Sequence, residues 1–182
     1  MQNKIGSIVA IDPSTGGILA FITSPVYDPN LLVGRVRGEN FTHLTNDTLK
    51  PLLNRAIMGN YPPGSTFKMV NALVGLEEGV LSNYTYYTCA GPGSTPIRCT
   101  HNHITPLPLQ EAIEQSCNPY FWNVFRSMMT NGKYSRINAA YNSWRNHVIS
   151  LGFGKKFDTD IPFELNGNIP TEEYYNKIYQ EG

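Results

Sequence analysis

Hydrophobic and polar residues follow two patterns along the chain, and each pattern predicts a different kind of element. Residues 5–23, IGSIVAIDPSTGGILAFIT, hold two runs rich in β-branched residues on either side of a Pro-Ser-Gly turn sequence. Such runs around turn residues predict an antiparallel hairpin. From Ser65 to about Gly79 the apolar residues are dense and spaced as on a buried helix. The first part of the chain therefore combines a hairpin with a core helix.

Helical patterns return in the second half of the chain. They cover LQEAIEQ, PYFWNVFRSMM and SRINAAYNSWRNHVISLG, and a last short helix is expected near TEEYY. Residues 24–60 are mixed, with a short helix expected in LTNDTLKPLLNRAIMGN, and the stretch YTCAGPGSTPIRCTHNHITPLP is irregular. Neither an internal repeat nor a low-complexity linker interrupts the chain. The sequence thus predicts an α+β fold with one hairpin and several helices.

Composition narrows the class of protein. A chain of 182 residues is long enough for one domain with its own core. The 14 basic and 14 acidic residues balance, which favours neither nucleic acid nor an anionic membrane surface as a partner. The apolar runs are far shorter than the ~20 residues that span a bilayer. The start of the chain also lacks a signal-peptide pattern.

The stretch YPPGSTFK, residues 61–68, is the first candidate for chemistry. Two prolines and a glycine end any regular structure just before the helix, and Ser65 stands at that turn. One interpretation is structural, since serine is a favoured N-cap whose oxygen accepts a backbone N–H. A lone S-x-x-K also arises by chance about once in a chain of this length. Capping requires Ser65 alone and gives Lys68 no part.

A catalytic interpretation uses both residues. Side chains three apart on a helix share a face, with β-carbons about 5–6 Å apart, so Lys68 can reach back to the Ser65 hydroxyl. Lysine acts as a base only when neutral, which requires its pKa to fall from about 10.4 toward 7–8. Burial beside Phe67 and Met69 and the positive end of the helix dipole both act in that direction. The same helix start offers backbone N–H groups to an oxyanion.

A second constellation, Ser116-Cys117-Asn118-Pro119, separates two of the predicted helices. Asn118 as N-cap with Pro119 at the first helical position is a good helix start. The same loop could place the Ser116 hydroxyl and the Asn118 amide in a cleft, where they would relay a proton and hold a substrate amide. The triplet gains weight because it follows an S-x-x-K about 50 residues earlier.

Together these motifs resemble the signature of penicillin-binding proteins and class A β-lactamases, in which S-x-x-K is joined by S-D-N and K-T-G. The likeness is greatest to the transpeptidase domain of class B penicillin-binding proteins and covers nearly the whole chain. Its segments are IVAIDPSTGGILAFITSPVYDPN, NRAIMGNYPPGSTFK, SCNPYF and LGFG. YDPN and YPPGSTFK resemble penicillin-binding protein 2, the cell-elongation type, more than the division type.

The resemblance implies a role for each matching residue. Ser65 would be the acylated nucleophile and Lys68 its base, while Ser116 would assist proton transfer and Asn118 would bind the donor peptide. The substrate would be the D-Ala-D-Ala end of a peptidoglycan stem peptide, and β-lactams would be trapped at Ser65, with no cofactor required. The parent protein would work at the periplasmic face of the inner membrane with a membrane glycosyltransferase of the elongation machinery.

One departure from the family pattern sets an expectation about domain organisation. No K-T-G, K-S-G or similar triplet occurs before Gly182. In the family that triplet lies on a sheet strand that lines the cleft and supplies the second oxyanion N–H. Residues 1–182 are therefore expected to be the N-terminal portion of one transpeptidase domain with an incomplete antiparallel sheet. The membrane anchor and pedestal of the family would lie before Met1.

Three cysteines and two histidines form a further group of candidates. Cys89, Cys99, His101 and His103 lie in CAGPGSTPIRCTHNH, and Cys117 follows later. The cysteines could simply be small buried hydrophobic residues, or Cys89 and Cys99 could form a disulfide in an oxidising compartment. The set Cys89, Cys99, His101 and His103 could also supply thiolate and imidazole ligands to a structural zinc ion, although the spacing fits no standard zinc finger.

Other functions of the same fold stay open at this level. A serine β-lactamase or D,D-carboxypeptidase shares the acylation step but differs in the acyl acceptor, and NRA with YPPGSTFK argues against it. A β-lactam sensor domain acylates once and signals. A pseudoenzyme would need neither Ser65 nor Lys68, and both are present.

Overall fold

The structure, a computed structural model, describes residues 4–157 and 159–180. These residues divide into two units. One contains the chain up to Tyr61 together with Lys156–Gly167, and the other contains Pro62–Lys155 together with the chain from Asn168 onward. Within the described ranges, no helix is both long enough and apolar enough to cross a membrane.

Two strands and seven α-helices make up the regular structure of the described residues. In chain order they are β1 (Gly6–Ile11), β2 (Ile18–Ser24), α1 (Arg37–Asn46), α2 (Arg55–Met58), α3 (Phe67–Glu77), α4 (Leu109–Glu114), α5 (Asn118–Met129), α6 (Ile137–Ser150) and α7 (Glu172–Gln180). Short 3-10 turns cover Pro29–Leu32, Gly64–Thr66 and Gly91–Gly93. The prediction of an α+β fold is confirmed, as are the helices predicted at α3, α5 and α6, whereas most of α1 lies outside the stretch in which a short helix is predicted.

The hairpin of the first unit forms as predicted, with β1 antiparallel to β2. Its turn is held by the Asp12 carboxylate, which accepts hydrogen bonds from the Ser14 backbone N–H at 2.9 Å and from the Thr15 hydroxyl at 2.8 Å. Gly16 takes a φ of 74° there, a conformation that glycine adopts without steric cost. The turn sequence DPSTGG therefore determines the register of the two strands.

The two strands pair only with each other among the described residues. Their apolar side chains are exposed on both faces, for example Ile8 at 50% and Val9 at 41%. A sheet with one buried face would hide alternate residues. The expectation of an incomplete antiparallel sheet is thus confirmed.

The second unit contains the hydrophobic core, which lies between α3, α5 and α6. Its fully buried side chains include Leu107, Tyr120, Val124 and Val148. Helices α3 and α5 approach each other closely at Gly75, where an added β-carbon would lie 3.0 Å from Val124 Cγ1. This close approach packs α3 directly against α5.

A buried carboxylate joins the end of α3 to α6. The side chain of Glu78 is 2% exposed and accepts hydrogen bonds from Lys133 Nζ at 2.6 Å, Ser143 Oγ at 2.7 Å and His147 Nε2 at 3.1 Å. The Tyr134 hydroxyl donates to the same carboxylate. Burial alone would raise the pKa of Glu78, but the Lys133, Ser143 and Tyr134 donors lower it to about 2. The carboxylate therefore stays charged and anchors three segments of this unit.

Candidate active site

Ser65 lies in the 3-10 turn Gly64–Thr66, directly before α3 begins at Phe67. Gly64 has a φ of 61°, which favours glycine and explains the abrupt change of direction. The residue at the N-cap position of α3 is Thr66, and its hydroxyl donates to the Pro63 carbonyl at 2.6 Å. Ser65 is exposed, and among the described residues its hydroxyl makes no hydrogen bond, so it does not cap the helix.

Lys68 lies one turn further along and reaches across to the start of α5. Its ammonium donates to the Ser116 carbonyl at 2.6 Å, the Ser116 hydroxyl at 2.9 Å and Asn118 Oδ1 at 2.6 Å. The Asn118 amide in turn donates to the Arg98 carbonyl at 3.1 Å. The structure thus brings Lys68, Ser116 and Asn118 together, although the chain separates them by about 50 positions.

The expected contact between Lys68 and Ser65 differs from what is observed. Within the part of the chain that the structure describes, the hydrogen bonds of the Lys68 ammonium go to Ser116 and Asn118 and none goes to Ser65. Two carbonyl-type oxygens and a hydroxyl satisfy all three N–H groups of the ammonium. An ammonium must lose a proton before it can take one from Ser65.

Partial burial lowers the pKa of Lys68, and negative charge on Cys117 and Cys99 acts in the opposite direction. The balance favours the neutral amine more than in free lysine. The direction is the one that a base for a serine hydroxyl requires.

The turn between α4 and α5 positions Ser116 and Asn118. Ser116 has a φ of 53°, and the next residue, Cys117, donates its N–H to the Ala112 carbonyl at 2.9 Å. The N-cap of α5 is Cys117, and Asn118 is the first helical residue. The prediction that Asn118 is the N-cap is therefore wrong by one residue, because its amide bonds to Lys68 and Arg98 instead of to the helix start.

Behind this turn lies a group of four side chains, the cysteine cluster: Cys89, Cys99, His103 and Cys117. Their ligand atoms all lie within 4.8 Å of one another. The predicted set included His101 in place of Cys117. The structure leaves His101 outside the cluster, where its ring contacts the Thr100 hydroxyl at 3.0 Å. All three cysteines are free thiols in the structure.

The irregular stretch folds back on itself to form the cluster. Gly91 has a φ of 60°, and its carbonyl accepts a hydrogen bond from the Cys99 N–H at 3.1 Å. The Cys89 N–H donates to the Thr105 hydroxyl at 2.9 Å. All three thiols are buried, and Cys117 is fully so. The loop thus brings Cys89 and Cys99 onto the buried side of the turn that holds Cys117.

The residue types of the cluster suit a zinc ion, since three Cys with one His is a common structural set. Zn–S bonds of about 2.3 Å place sulfur ligands roughly 3.8 Å apart, and the ligand atoms of the cluster lie within 4.8 Å of one another. Burial alone would raise the pKa of the Cys99 thiol, but the backbone N–H groups of His101 and Asn118 and the His103 ring lower it to about 6. His103 Nε2 lies 2.9 Å from Cys99 Sγ, so a nitrogen and a sulfur donor already adjoin.

Known proteins share the motifs and the fold of this chain. The family model described as the penicillin-binding protein transpeptidase domain matches residues 6–181. The chain belongs to this family. The resemblance inferred from the motifs is thereby confirmed.

Relatives in the family include the peptidoglycan D,D-transpeptidase MrdA of Acinetobacter baumannii, 34% identical over 96% of this chain and 25% of its own length. PbpA of Mycolicibacterium smegmatis is 37% identical over 64% of this chain and 26% of its own. This transpeptidase-family chain therefore spans about a quarter of the length of the curated relatives that it matches.

Solved structures of transpeptidases share the fold. PBP2 of Pseudomonas aeruginosa in complex with WCK 5153 gives a TM-score of 0.75 at 30% identity and covers 98% of this chain and 40% of its own. The structure of PBP2 from Helicobacter pylori gives a TM-score of 0.78 at 28% identity, and the match covers 97% of this chain and 32% of that one. The likeness to penicillin-binding protein 2 holds in both sequence and structure.

Sequence reasoning missed two residues near the site, Cys117 and Gln115. The predicted metal-binding set leaves out Cys117, which is distant in sequence from Cys89 and Cys99. No motif in the sequence includes Gln115, yet its side-chain oxygen lies 2.7 Å from His103 Nδ1. Its position directly before the Ser116-Cys117-Asn118 triplet was the available signal.

Proposed function

We propose that this transpeptidase-family chain carries the nucleophile, base and donor-binding residues of a peptidoglycan D,D-transpeptidase. This function is supported by the convergence of Lys68, Ser116 and Asn118 at the start of α5. Ser65 stands directly before α3, the helix that carries Lys68, is exposed, and makes no hydrogen bond through its hydroxyl among the described residues. The substrate is the D-Ala-D-Ala end of a stem peptide. The complete protein forms cross-links during cell-wall elongation.

In the acylation step, neutral Lys68 takes the proton of Ser65 Oγ as that oxygen attacks the carbonyl carbon between the two D-Ala residues. The backbone N–H of Ser65 stabilises the oxyanion, and a second donor comes from outside this chain. The C–N bond then breaks, and the proton passes from Lys68 through the Ser116 hydroxyl to the leaving amine. Asn118 binds the donor peptide backbone during this step.

Deacylation distinguishes a transpeptidase from other enzymes of the fold. The amine of a second stem peptide attacks the ester at Ser65, forms the cross-link and returns the proton to Ser65 Oγ. In a β-lactam the broken C–N bond belongs to a ring, so the leaving amine stays attached and the acyl-enzyme persists. Acyl-enzyme complexes with ceftriaxone and imipenem are described for penicillin-binding protein A of Mycobacterium tuberculosis, which is 30% identical to this chain.

The complete protein treated with penicillin tests the role of Ser65. Intact mass spectrometry should show one added penicillin, located on Ser65 by peptide mapping. Ser65→Ala should abolish the adduct, whereas Ser14→Ala, in the exposed hairpin turn, should leave it unchanged. An adduct that persists in Ser65→Ala would overturn the assignment of the nucleophile.

Other acyl acceptors define the competing functions. A serine β-lactamase or D,D-carboxypeptidase would pass the acyl group to water, and a β-lactam sensor would keep it. A stem-peptide thioester offered with an amine acceptor separates them, since only a transpeptidase yields the amide product at the expense of hydrolysis.

The place of the chain in its parent protein follows from the same proposal. Residues 1–182 are the N-terminal portion of one transpeptidase domain, and the K-T-G strand follows outside them. The parent protein is anchored at the periplasmic face of the inner membrane and works with a membrane glycosyltransferase. Cross-linking of the complete protein in cells, followed by identification of the captured glycosyltransferase, tests the partner.

We further propose that the cysteine cluster holds a structural zinc ion, with Cys89, Cys99, His103 and Cys117 as ligands. Support comes from the four donor atoms lying within 4.8 Å of one another, on three buried cysteines and a half-buried histidine. The ion would hold the 89–103 loop against the turn that carries Ser116 and Asn118. It takes no part in the acyl chemistry.

Metal analysis of the purified complete protein tests the zinc site. We expect close to one equivalent of zinc and a lower unfolding temperature after chelation. Cys99→Ser should lower the zinc content, while His101→Ala should not, because His101 lies outside the cluster. Zinc-free protein with Cys89 and Cys99 joined in a disulfide would contradict the site.

A further inference from the structure

Four consecutive residues, 115 to 118, serve two neighbouring sites in alternation. Ser116 and Asn118 contact the Lys68 ammonium. Cys117 belongs to the cysteine cluster. The Gln115 side chain also faces the cluster, since its Oε1 lies 2.7 Å from His103 Nδ1. This last contact has no part in the acyl chemistry and calls for its own explanation.

We propose that Gln115 is a positioning residue that sets the tautomer and the orientation of His103 for metal binding. This role rests on the zinc site proposed above. An amide oxygen only accepts hydrogen bonds, so the proton at this contact belongs to His103 Nδ1. A neutral imidazole carries one N–H, which leaves the lone pair on Nε2 free to bind a metal.

The geometry places that lone pair on the correct side. His103 Nε2 lies 2.9 Å from Cys99 Sγ, within the cluster, while Nδ1 faces away from it toward Gln115. Histidine ligands commonly donate their second N–H to an acceptor, which fixes the ring and makes the ligand more basic. In the described part of the chain, Gln115 is the acceptor that meets Nδ1 of His103.

The backbone of Gln115 gives the contact a rigid base. Its N–H donates to the Glu111 carbonyl at 2.9 Å at the end of α4, and the Ser116 N–H donates to the Ile113 carbonyl at 3.0 Å. The side chain is thus held where helix and turn meet. The imidazole is consequently tied to residues 115–118 at both ring nitrogens, once through Gln115 and once through the metal shared with Cys117.

Two glutamines, Gln110 on α4 and Gln115 directly after its last residue, allow a controlled test in the complete protein. Gln115→Leu removes the acceptor at nearly constant size, and Gln115→Glu keeps an acceptor at the same place. Gln110→Leu is the control, since Gln110 is an exposed residue of α4. Zinc affinity is measured by competition with a chromophoric chelator, and unfolding temperature is measured with and without zinc.

We expect Gln115→Leu to bind zinc about 10- to 100-fold more weakly, the usual effect of losing such a partner. Gln115→Glu should stay within a few-fold of the unchanged protein, and Gln110→Leu should equal it. The rise in unfolding temperature on adding zinc should shrink in Gln115→Leu alone. A merely structural glutamine would change the zinc-free unfolding temperature and leave the affinity for zinc the same.

The possible results separate this role from the zinc site itself. Protein that binds no zinc in any form overturns both. Protein that binds zinc with equal affinity in Gln115→Leu and Gln110→Leu overturns the role of Gln115 and leaves the zinc site standing. If Gln115→Leu does not fold, Gln115→Ala removes the same acceptor without filling the space, and the same 10- to 100-fold loss is expected.

Discussion

Replacing Lys68 with arginine separates the two tasks that this side chain would have. The ammonium donates three hydrogen bonds to the turn at Ser116 and Asn118, at 2.6 to 2.9 Å. Arginine keeps a positive charge and can still donate to those oxygens. It stays protonated at any relevant pH, so it cannot take the proton of Ser65. Lys68→Arg therefore removes the proposed base while preserving much of the contact.

The loss of a positioned base sets the expected decrease in the acylation rate. A positioned base is worth roughly 10²–10⁴ in rate, or about 3–5 kcal/mol in activation free energy. Lys68→Arg should lose about that factor in the second-order rate constant for acylation. Lys68→Ala should lose at least as much, because it also leaves the oxygens of Ser116 and Asn118 without their donor. Lys177→Arg, on the exposed side of α7, should match the unchanged protein.

Fluorescent penicillin and the complete protein supply the assay. The labelled fraction is followed against time at several penicillin concentrations, and thermal unfolding confirms that each variant is folded. Burial lowers the pKa of Lys68, so the acylation rate of the unchanged protein should rise with pH as the amine loses its proton. Lys68→Arg should lose this rise. Acylation by Lys68→Arg at the normal rate would show that another group, such as Ser116, is the base.

Two further predictions concern the isolated chain and the buried carboxylate. Residues 1–182 alone should not be labelled by fluorescent penicillin, because losing one oxyanion donor commonly costs about 10²–10³ in rate; stoichiometric labelling of Ser65 would show that the K-T-G strand is dispensable. Glu78 has its pKa lowered from 4.5 to about 2, so its contribution of at most about 3 kcal/mol to the free energy of unfolding is present above pH 5 and lost as the pH falls toward 2. Denaturant unfolding of the complete domain between pH 6 and 2 should show this loss, and Glu78→Gln should be less stable at pH 6 with a flatter profile.

The parts of the fold that sequence could predict are those determined by near neighbours. Turn residues between β-branched runs located the hairpin, and apolar spacing located α3, α5 and α6. The S-x-x-K and S-x-N motifs also named three residues that the structure brings together, Lys68, Ser116 and Asn118.

Contacts between segments that are distant along the chain could not be predicted from the sequence. The helix spacing predicts a contact between the Lys68 ammonium and Ser65, but the ammonium contacts Ser116 and Asn118. The packing of α3 against α5 brings these distant residues together. The cluster was expected to use His101, which is near in sequence, but it uses Cys117 from a distant turn. Spacing along the chain carries no information about which distant segment folds against a loop.

The backbone at Ser116 gives independent support for a role of its hydroxyl. Its φ of 53° is a left-handed conformation that costs a non-glycine residue about 1–2 kcal/mol. Glycine would relieve that cost, yet it would lack the oxygen that lies 2.9 Å from the Lys68 ammonium. A strained position is kept only where the surroundings hold it in place, and here the N–H of Cys117 bonds to the Ala112 carbonyl while its thiol lies in the cysteine cluster. The strained residue, Ser116, thus contacts Lys68 through its hydroxyl and is followed directly by a member of the cysteine cluster, Cys117.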